Sequence, residues 1–594
     1  MLDLNESSDD RQRISIHRST GNTTMLTTKS RILVASALGT LLLFGTITAS
    51  AVGRIAVRGN NGIVASSSAI ASAIGVQVLK DGGNAVDAAV ATALAMAVTW
   101  PSAGNIGGGG FMVYHGADGE ATTFDFREKA PLAATKDLYL DDEGNIRGNS
   151  NHDSILAVGV PGTVAGLALA HERLGSLPWE DVVAPAVKLA REGIPISFYL
   201  RDSFARRMPR FERYPSSRKA FTKSDGSAYE PHDVWVQSDL ADTLERIQEQ
   251  GKDGFYGGKT AKLIADFMAA NGGIITLEDL EKYQAIEREP IRGTYRGHEI
   301  ISMPPPSSGG VVLVEMLNIL EGYDLKMIGH NSALYMHLLT ESMRRAYADR
   351  ANYLGDPDFN EDMPLGRLTS KEHAANLRGS IDLLNKSESD PALFAQRYES
   401  ENTTHFSVVD GDGNMVSLTY TLEWGYGSHI VVAGAGFLLN NEMGDFNAQP
   451  GVTDIRGRIG TEANQIRPEQ RMLSSMTPTI VAKDGVPLFA TGSPGGKTII
   501  NTTMQTILNV IDHGMTIAES VEAPRIHHQW LPDMTRMERL GISPDSRRLY
   551  ESLGHTVRET RGIGSAMGVF RDPETGQLSG AADSRAEDGG VAAY

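Results

Sequence analysis

The segment Glu401–Asp410 reads ENTTHFSVVD and begins a strand-like pattern that continues beyond a short polar turn. The turn is Asp410–Asn414 (DGDGN), a composition typical of tight turns. After it, apolar and polar residues alternate strictly through Met415–Leu422 (MVSLTYTL), which is the period of a β-strand with two different faces. The sequence therefore predicts a β-hairpin whose second strand has one apolar face and one face of serine and threonine.

The register of this hairpin follows from its turn. If the turn centres on Asp412, Thr403 lies directly opposite Thr421, with the two Cβ atoms about 5 Å apart. Thr421 would then hold Thr403 in place, and the period of two sends Glu423 to the same face. His405 also falls on this face, where we expect a structural or tuning role for it.

Thr403 would become reactive as the first residue of a chain. A threonine hydroxyl is a weak nucleophile, but an N-terminal threonine has its own α-amine, with a reference pKa of about 7.7–8.0, as a base. The pattern therefore predicts a buried nucleophile that is released by cleavage before Thr403. An ordinary hairpin with a threonine-rich solvent face is the alternative, and the hairpin residues alone leave it open.

Eight motifs in fixed order resemble those of the γ-glutamyltransferases (glutathione hydrolases), and the resemblance covers roughly residues 60 to 594. Several long motifs in one order are a specific signal. The motifs are Asp81–Ala88, Gly107–Met112, Asp125–Glu128, Met303–Gly310, Thr403–Asp410, Leu438–Phe446, Leu473–Met476 and Thr491–Gly496.

This resemblance implies the α+β N-terminal nucleophile hydrolase fold, a four-layer αββα sandwich. It also implies a precursor that cuts itself between Asn402 and Thr403. The large subunit would comprise residues 52–402 and the small subunit residues 403–594, and the two would remain one structural unit. The residue pattern by itself predicts only mixed helices and strands, among them helices at Asn84–Val98 and Thr498–Ile511, a strand at Phe111–Tyr114 and a mainly helical region over 154–330.

The resemblance assigns roles in catalysis to Thr403 as nucleophile, Thr421 as its support, and Gly495 and Gly496 as an oxyanion hole. Two glycine N–H groups before a helix suit developing negative charge, although Pro-Gly-Gly is also a common tight turn.

A second set of residues is implied to bind the amino-acid head group of a γ-glutamyl donor. Arg127 matches the ligand of the α-carboxylate, and its planar fork can donate two parallel hydrogen bonds. Ser474 and Ser475 match further carboxylate ligands, and Glu442 and Asp445 match the residues that hold the α-ammonium.

Two positions depart from the common family pattern. Glu423 stands where many members have asparagine, and it adds negative charge near the ammonium. Arg456 replaces an aromatic residue often seen in the segment over the pocket, which bears on acceptor choice.

The implied activity is transfer of the γ-glutamyl group of glutathione or related amides to water, amino acids or peptides, with no metal or organic cofactor. The alternatives are a related acylase of glutaryl or cephalosporin side chains, an enzyme that processes poly-γ-glutamate, and a catalytically silent exported binding protein. Arg127 together with Glu442 and Asp445 favours a free amino-acid head group over a bare glutaryl chain.

The composition of the chain excludes several classes of partner and of chemistry. The 594-residue chain has 73 acidic and 55 basic residues, a net charge of −18, and we therefore expect no nucleic-acid partner. The absence of cysteine excludes disulfides, thiol catalysis and cysteine-ligated metals.

The N-terminus has the pattern of an export signal. Residues 1–31 are polar with several arginines, residues 32–47 are almost entirely apolar, and Ala49-Ser50-Ala51 fits a cleavage site. We expect residues 1–51 to be a signal with an extended polar n-region and the protein to be periplasmic or extracellular. An uncleaved membrane anchor is the less favoured alternative, because the apolar stretch is shorter than the roughly 20 residues of a spanning helix.

Overall fold

The computed structural model describes residues 54–389, 403–449, 451 and 461–594. The expected export signal at residues 1–51, Asn402 on the amino side of the expected cleavage, and Arg456 lie outside the described residues. Within the described ranges, no helix combines the length and apolar character that a membrane crossing requires.

Two seven-stranded sheets form the centre of the molecule, and every neighbouring strand pair in them is antiparallel. Sheet one has the strand order β19-β2-β10-β11-β3-β4-β7, and sheet two has the order β1-β18-β17-β13-β12-β9-β8. The strands are β1 (Val57–Gly59), β2 (Gly62–Ser66), β3 (Gly109–His115), β4 (Ala121–Phe126), β5 (Ile194–Pro195), β6 (Val234–Trp235), β7 (Ile286–Arg288), β8 (Ile291–Tyr295), β9 (His298–Ser302), β10 (Thr403–Asp410), β11 (Met415–Thr421), β12 (Thr479–Lys483), β13 (Val486–Gly492), β14 (Ile526–His527), β15 (Thr535–Glu538), β16 (Val557–Thr560), β17 (Met567–Arg571), β18 (Leu578–Ala582) and β19 (Gly590–Ala593).

Helices cover the outer faces of both sheets. One core lies between sheet one and its helices, a second between sheet two and its helices, and a third between the sheets. The α-helices are Ala69–Lys80, Ala85–Thr99, Thr163–Leu174, Trp179–Glu192, Phe198–Phe211, Pro215–Ala220, Ser238–Gln250, Asp253–Tyr256, Gly258–Asn271, Leu277–Lys282, Gly309–Leu320, Leu325–Ile328, Ala333–Tyr353, Leu365–Leu368, Lys371–Gly379, Thr498–Ile511, Ile517–Glu522 and Pro544–Ser552. The four-layer αββα sandwich is confirmed.

The hairpin β10–β11 has the predicted register, with Thr403 opposite Thr421. Asp410 closes its turn, because its carboxylate accepts the backbone N–H groups of Asp412, Gly413 and Asn414. The polar face is not a solvent face, since the strand is buried throughout. Ser417 on this face donates to the carbonyl of Thr491 and accepts the N–H of Thr479, so hydrogen bonds join the two sheets. The solvent-face alternative is therefore wrong.

The other predicted elements are present with small differences. The buried helix begins at Ala85 because the Asn84 side chain caps it and Asp87 completes a capping box. The region 154–330 is mainly helical, as expected, but β7, β8 and β9 interrupt it. β7 adds to the edge of sheet one beside β4, and the local hairpin β8–β9 adds to the edge of sheet two beside β12, so β4 and β12, the strands they join, lie far away in the sequence.

Candidate active site

The end of the β10–β11 hairpin opens into a small cavity of about 20 Å³. Thr403 begins β10 and Thr421 ends β11, so the antiparallel pairing brings these two side chains together. All the site residues expected from the sequence line this cavity except Gly495; the lining consists of Arg127, Thr403, Thr421, Glu423, Glu442, Asp445, Ser474, Ser475, Met476, Gly496 and Ile499. Asn105 holds the main chain here by donating its amide to the carbonyl of Thr421 at 2.9 Å.

Arg127 follows β4 and is almost completely buried beside Glu442 and Asp445. Its Nη1 donates to Glu442 Oε1, its Nη2 donates to Asp445 Oδ2 at 2.6 Å, and its Nε donates to the carbonyl of Met472 at 3.2 Å. Glu442 and Asp445 lie on one 3₁₀ turn, so their carboxylates reach the same guanidinium. A cation and two acids therefore stand side by side, the complement of the carboxylate and ammonium of an amino acid.

Electrostatics at Arg127 depend on three neighbouring acids. Burial alone would lower the pKa of Arg127, but the charges of Glu442, Asp445 and Glu128 raise it, so the guanidinium is charged. Burial raises the pKa of Glu128 to about 8 against the opposing charge of Arg127. Burial also raises the pKa of Glu442, and Arg127 again opposes this. Burial thus disfavours negative charge on both glutamates, and the charge of Arg127 opposes this at each of them.

Glu423 reaches the cavity in a different way from the one expected. It lies beyond the end of β11 with a left-handed φ of 76°, so a turn positions it and strand alternation does not. Its backbone N–H donates to Thr421 Oγ1 at 2.8 Å. Its carboxylate lies 3.1 Å from Nδ1 of His152, whose ring stacks on Trp424. Neither a motif nor a periodicity pointed to His152, which lies in an irregular segment between β4 and the helix Thr163–Leu174.

Gly495 and Gly496 lie between β13 and the helix Thr498–Ile511. Their φ angles are 132° and 55°, and their carbonyls accept the N–H groups of Thr498 and Ile499. Within the described residues, neither glycine N–H has a hydrogen-bond partner. A Cβ on Gly495 would lie only 2.3 Å from Thr498 Oγ1, so this tight turn requires glycine. Two unpartnered amides before a helix are suited to stabilise an anion.

Ser474 and Ser475 are held by residues outside their own segment. The Ser475 hydroxyl accepts from Arg350 Nη2 at 3.0 Å, and Arg350 Nε donates to Ser308 Oγ at 2.7 Å. The Ser308 hydroxyl in turn donates to the carbonyl of Ser474 at 2.6 Å. Arg350, on the helix Ala333–Tyr353, was not foreseen from the sequence because a helical arginine near polar residues has no distinctive spacing.

His405 is enclosed between the sheets. Its ring nitrogens lie 2.8 Å from Thr419 Oγ1 and 3.0 Å from Ser407 Oγ, and the ring packs against Gly492 of β13. Burial lowers the pKa of His405 to about 3. These contacts fit a structural role.

We expect His405 to make the fold less stable in acid. Above pH 6.5 the ring is neutral in both the folded and the unfolded state. Below pH 6.5 the unfolded chain binds a proton at this ring, whereas the folded protein does not bind it until about pH 3. Stability should fall by about 1.4 kcal/mol per pH unit for this group over that window. The free energy of unfolding, measured with urea between pH 6 and 4, should depend less steeply on pH in His405→Gln than in the parent, by the uptake of one proton. The surface variant His232→Gln should keep the pH dependence of the parent. An equal slope in His405→Gln and the parent would contradict this.

A larger cavity of about 420 Å³ lies elsewhere, beside Trp235 and Phe221. Its lining is mainly apolar, and no hydrogen bond among the described residues joins one of its serines to a basic side chain. The smaller cavity around Thr403 is therefore the candidate active site.

Known proteins resemble this chain over most of its length. The γ-glutamyltranspeptidase family model matches residues 71–594. A glutathione hydrolase proenzyme of Escherichia coli (strain K12) is 48% identical over 542 residues, which cover 91% of this chain and 93% of that protein. Among solved structures, cephalosporin acylase from Bacillus halodurans aligns with a TM-score of 0.80 at 28% identity, covering 93% of this chain and 99% of its own. Helicobacter pylori γ-glutamyltranspeptidase aligns with a TM-score of 0.53 at 46% identity, covering 54% of this chain and 91% of its own.

Proposed function

The chain belongs to the γ-glutamyltranspeptidase family, and on this premise we propose that Thr403 is the nucleophile with which it cleaves γ-glutamyl amides. Its activity is that of a self-processing γ-glutamyltransferase and glutathione hydrolase, in agreement with relatives that are glutathione hydrolase proenzymes. The observation that carries the assignment of residues is the cavity in which Thr403 meets Arg127, Glu442 and Asp445.

The geometry supports a two-step transfer. The α-amine of Thr403 removes the proton of its own hydroxyl as Oγ1 attacks the γ-carbonyl of the donor. The N–H groups of Gly495 and Gly496 stabilise the oxyanion, and the leaving amine takes the proton as the C–N bond breaks. Water, an amino acid or a peptide then attacks the γ-glutamyl ester, which releases the product and restores the Thr403 hydroxyl.

Recognition of the donor would use the paired charges of the cavity. The donor α-carboxylate would take the hydrogen bonds of Arg127, with Ser474 and Ser475 beside it. The α-ammonium would lie against Glu442 and Asp445, which the guanidinium contacts in this structure. Donor binding thus exchanges one set of charge-assisted hydrogen bonds for another.

The same hydroxyl would carry out the self-cleavage. Attack of Thr403 Oγ1 on the carbonyl of Asn402 breaks the peptide bond and forms an ester, which water hydrolyses to free the Thr403 amine. Sheet one explains why subunits 52–402 and 403–594 would stay together, because β10 and β11 of the small subunit pair with β2 and β3 of the large one. The chain before this unit would direct export, and N-terminal sequencing of the mature large subunit tests whether residues 1–51 are removed.

The activity is tested by comparing γ-glutamyl and glutaryl p-nitroanilides, which differ only in the α-ammonium. We expect kcat/KM to be at least about a hundredfold higher for the γ-glutamyl compound, because the glutaryl carboxylate would draw Arg127 away from Glu442 and Asp445 without supplying an ammonium in its place. The acylase alternative rests on the similarity to the Bacillus halodurans enzyme. Faster release from the glutaryl compound would favour that alternative, and release from neither by a cleaved protein would favour the silent binding protein.

Glu423 is expected to strengthen binding of the donor ammonium. Glu423→Gln keeps the size of the side chain and removes its charge, so KM for the γ-glutamyl anilide should rise by about tenfold or more, with little change in kcat. His152→Asn should have a smaller effect of the same kind, because His152 orients the carboxylate without lining the cavity. The residual turnover of glutaryl anilide serves as control, and an equal loss on both compounds would contradict a role at the ammonium.

A further inference from the structure

Three helices bring two carboxylates and one imidazole together away from the candidate active site. Glu315 lies on the helix Gly309–Leu320, Asp349 on Ala333–Tyr353 and His373 on Lys371–Gly379. His373 Nε2 is 2.6 Å from Asp349 Oδ2 and 3.9 Å from Glu315 Oε1. One donor atom from each residue lies within 4.8 Å of the other two.

Glu315 is the unusual member of this cluster. It is completely buried, and neither carboxylate oxygen accepts a hydrogen bond from a donor group of the described chain; its polar neighbour is a second carboxylate, that of Asp349, which is close enough to share a proton with it. The nearby cation Arg367 lies over the ring of Tyr353, and among the described residues no ion pair joins it to Glu315. A buried carboxylate without a partner is costly, so this position calls for a cation or a proton.

A second cluster of similar composition provides a contrast. His337, Glu341 and His555 are also close together and buried. However, the Glu341 carboxylate already accepts from Arg344, Arg345 and the N–H of Ser387, and the two imidazoles hydrogen-bond each other at 2.7 Å. Two guanidinium groups there supply the positive charge that a metal ion would otherwise supply. Among the described residues, no guanidinium contacts Glu315.

We propose that Glu315, Asp349 and His373 bind one divalent transition-metal ion, and that this ion is of the Zn²⁺ type. Two carboxylates neutralise the ion, and imidazole with carboxylate oxygen is a donor set that Zn²⁺ accepts. Ligand atoms on a tetrahedral zinc stand about 3.3 Å apart, which the two measured distances from His373 bracket. Asp349 and His373 are partly exposed, which gives the ion an entry path, and the fourth position takes water.

The consequence is structural and reaches the candidate active site through one residue. Asp349 directly precedes Arg350, which donates to Ser475 and Ser308. An ion that ties the three helices together would therefore stabilise the end of the helix from which Arg350 contacts Ser475 at the cavity. This inference does not depend on the catalytic assignment.

The test uses the full mature protein, prepared without a metal-affinity step and treated with a chelator. Zn²⁺ is titrated in competition with a chromogenic chelator, and thermal unfolding is followed with and without Zn²⁺. We expect one tight equivalent and a rise of several degrees in the unfolding midpoint. Both should be lost in Glu315→Gln, which is isosteric, and in His373→Asn, which changes a partly exposed residue; His298→Asn is the matched control and should retain both.

Each possible result either supports the proposed metal site or overturns it. No tight equivalent in the parent would mean that a shared proton joins Glu315 to Asp349, and the proposal would fail. An equivalent that persists unchanged in both variants would place the ion elsewhere and would equally overturn it. If Glu315→Gln does not fold, His373→Asn alone decides between these results.

Discussion

The Thr403→Ala protein is expected to remain uncut between residues 402 and 403 and to turn over γ-glutamyl anilide at least about 10⁴-fold more slowly than the parent. Both losses have one cause in the proposed mechanism, in which the same Oγ1 attacks first the backbone carbonyl and then the donor. The fold should persist, since Thr403 is the first residue of β10 and the strand is held on both sides by β2 and β11. Intact mass shows the cleavage, and release of p-nitroaniline shows the turnover.

Two further variants separate chemistry from packing. Thr403→Ser keeps a hydroxyl at the same place and should be cut, though more slowly, and should retain measurable turnover. Thr404→Val removes the neighbouring hydroxyl, which faces Ser67 on the other side of the strand, and should leave processing and turnover intact. Cleavage before residue 403 in Thr403→Ala would refute the assignment, since another protease or nucleophile would then be responsible.

The hairpin was predictable in detail because every interaction that sets its register is local. Asp410 closes the turn and strict alternation runs through Met415–Leu422, so the pairing of Thr403 with Thr421 follows from counting. What the residues alone could not decide was whether the threonine face meets water or another sheet. That depends on β12 and β13, which come about sixty residues later and supply the partners of Ser417.

The residues proposed to bind the donor, unlike the hairpin, could not be brought together from local sequence patterns. Arg127 meets Glu442 across 315 positions, and only the family resemblance joined these residues before the structure did. His152 and Arg350 belong to no motif, and each acts by holding another side chain, Glu423 or Ser475. Such supporting contacts depend on tertiary packing, so neither the periodicity of the sequence nor the spacing of its motifs predicts them.

Arg127→Lys is expected to reduce kcat/KM for γ-glutamyl anilide by about 10³-fold while leaving self-cleavage intact. Lysine keeps the charge but loses the planar fork, so about two charge-assisted hydrogen bonds to the donor carboxylate are lost at roughly 2 kcal/mol each. In the free enzyme, lysine also cannot reach Glu442 and Asp445 together as the guanidinium does. Subunit formation is measured by mass, and the rates are measured on the processed protein.

A donor without the α-carboxylate makes this prediction specific. The parent should cleave 4-aminobutyryl anilide poorly, and Arg127→Lys should cleave it no worse than the parent does, because the missing carboxylate and the missing fork are the same interaction. Arg288→Lys is the matched control: Arg288 pairs with Asp125 and Asp358 close to the site but does not line the cavity, so turnover should remain near that of the parent. If Arg127→Lys instead loses equal rate on both donors, or fails to process, Arg127 acts by holding Glu442 and Asp445 in place, and the donor carboxylate must bind to Ser474, Ser475 or another group.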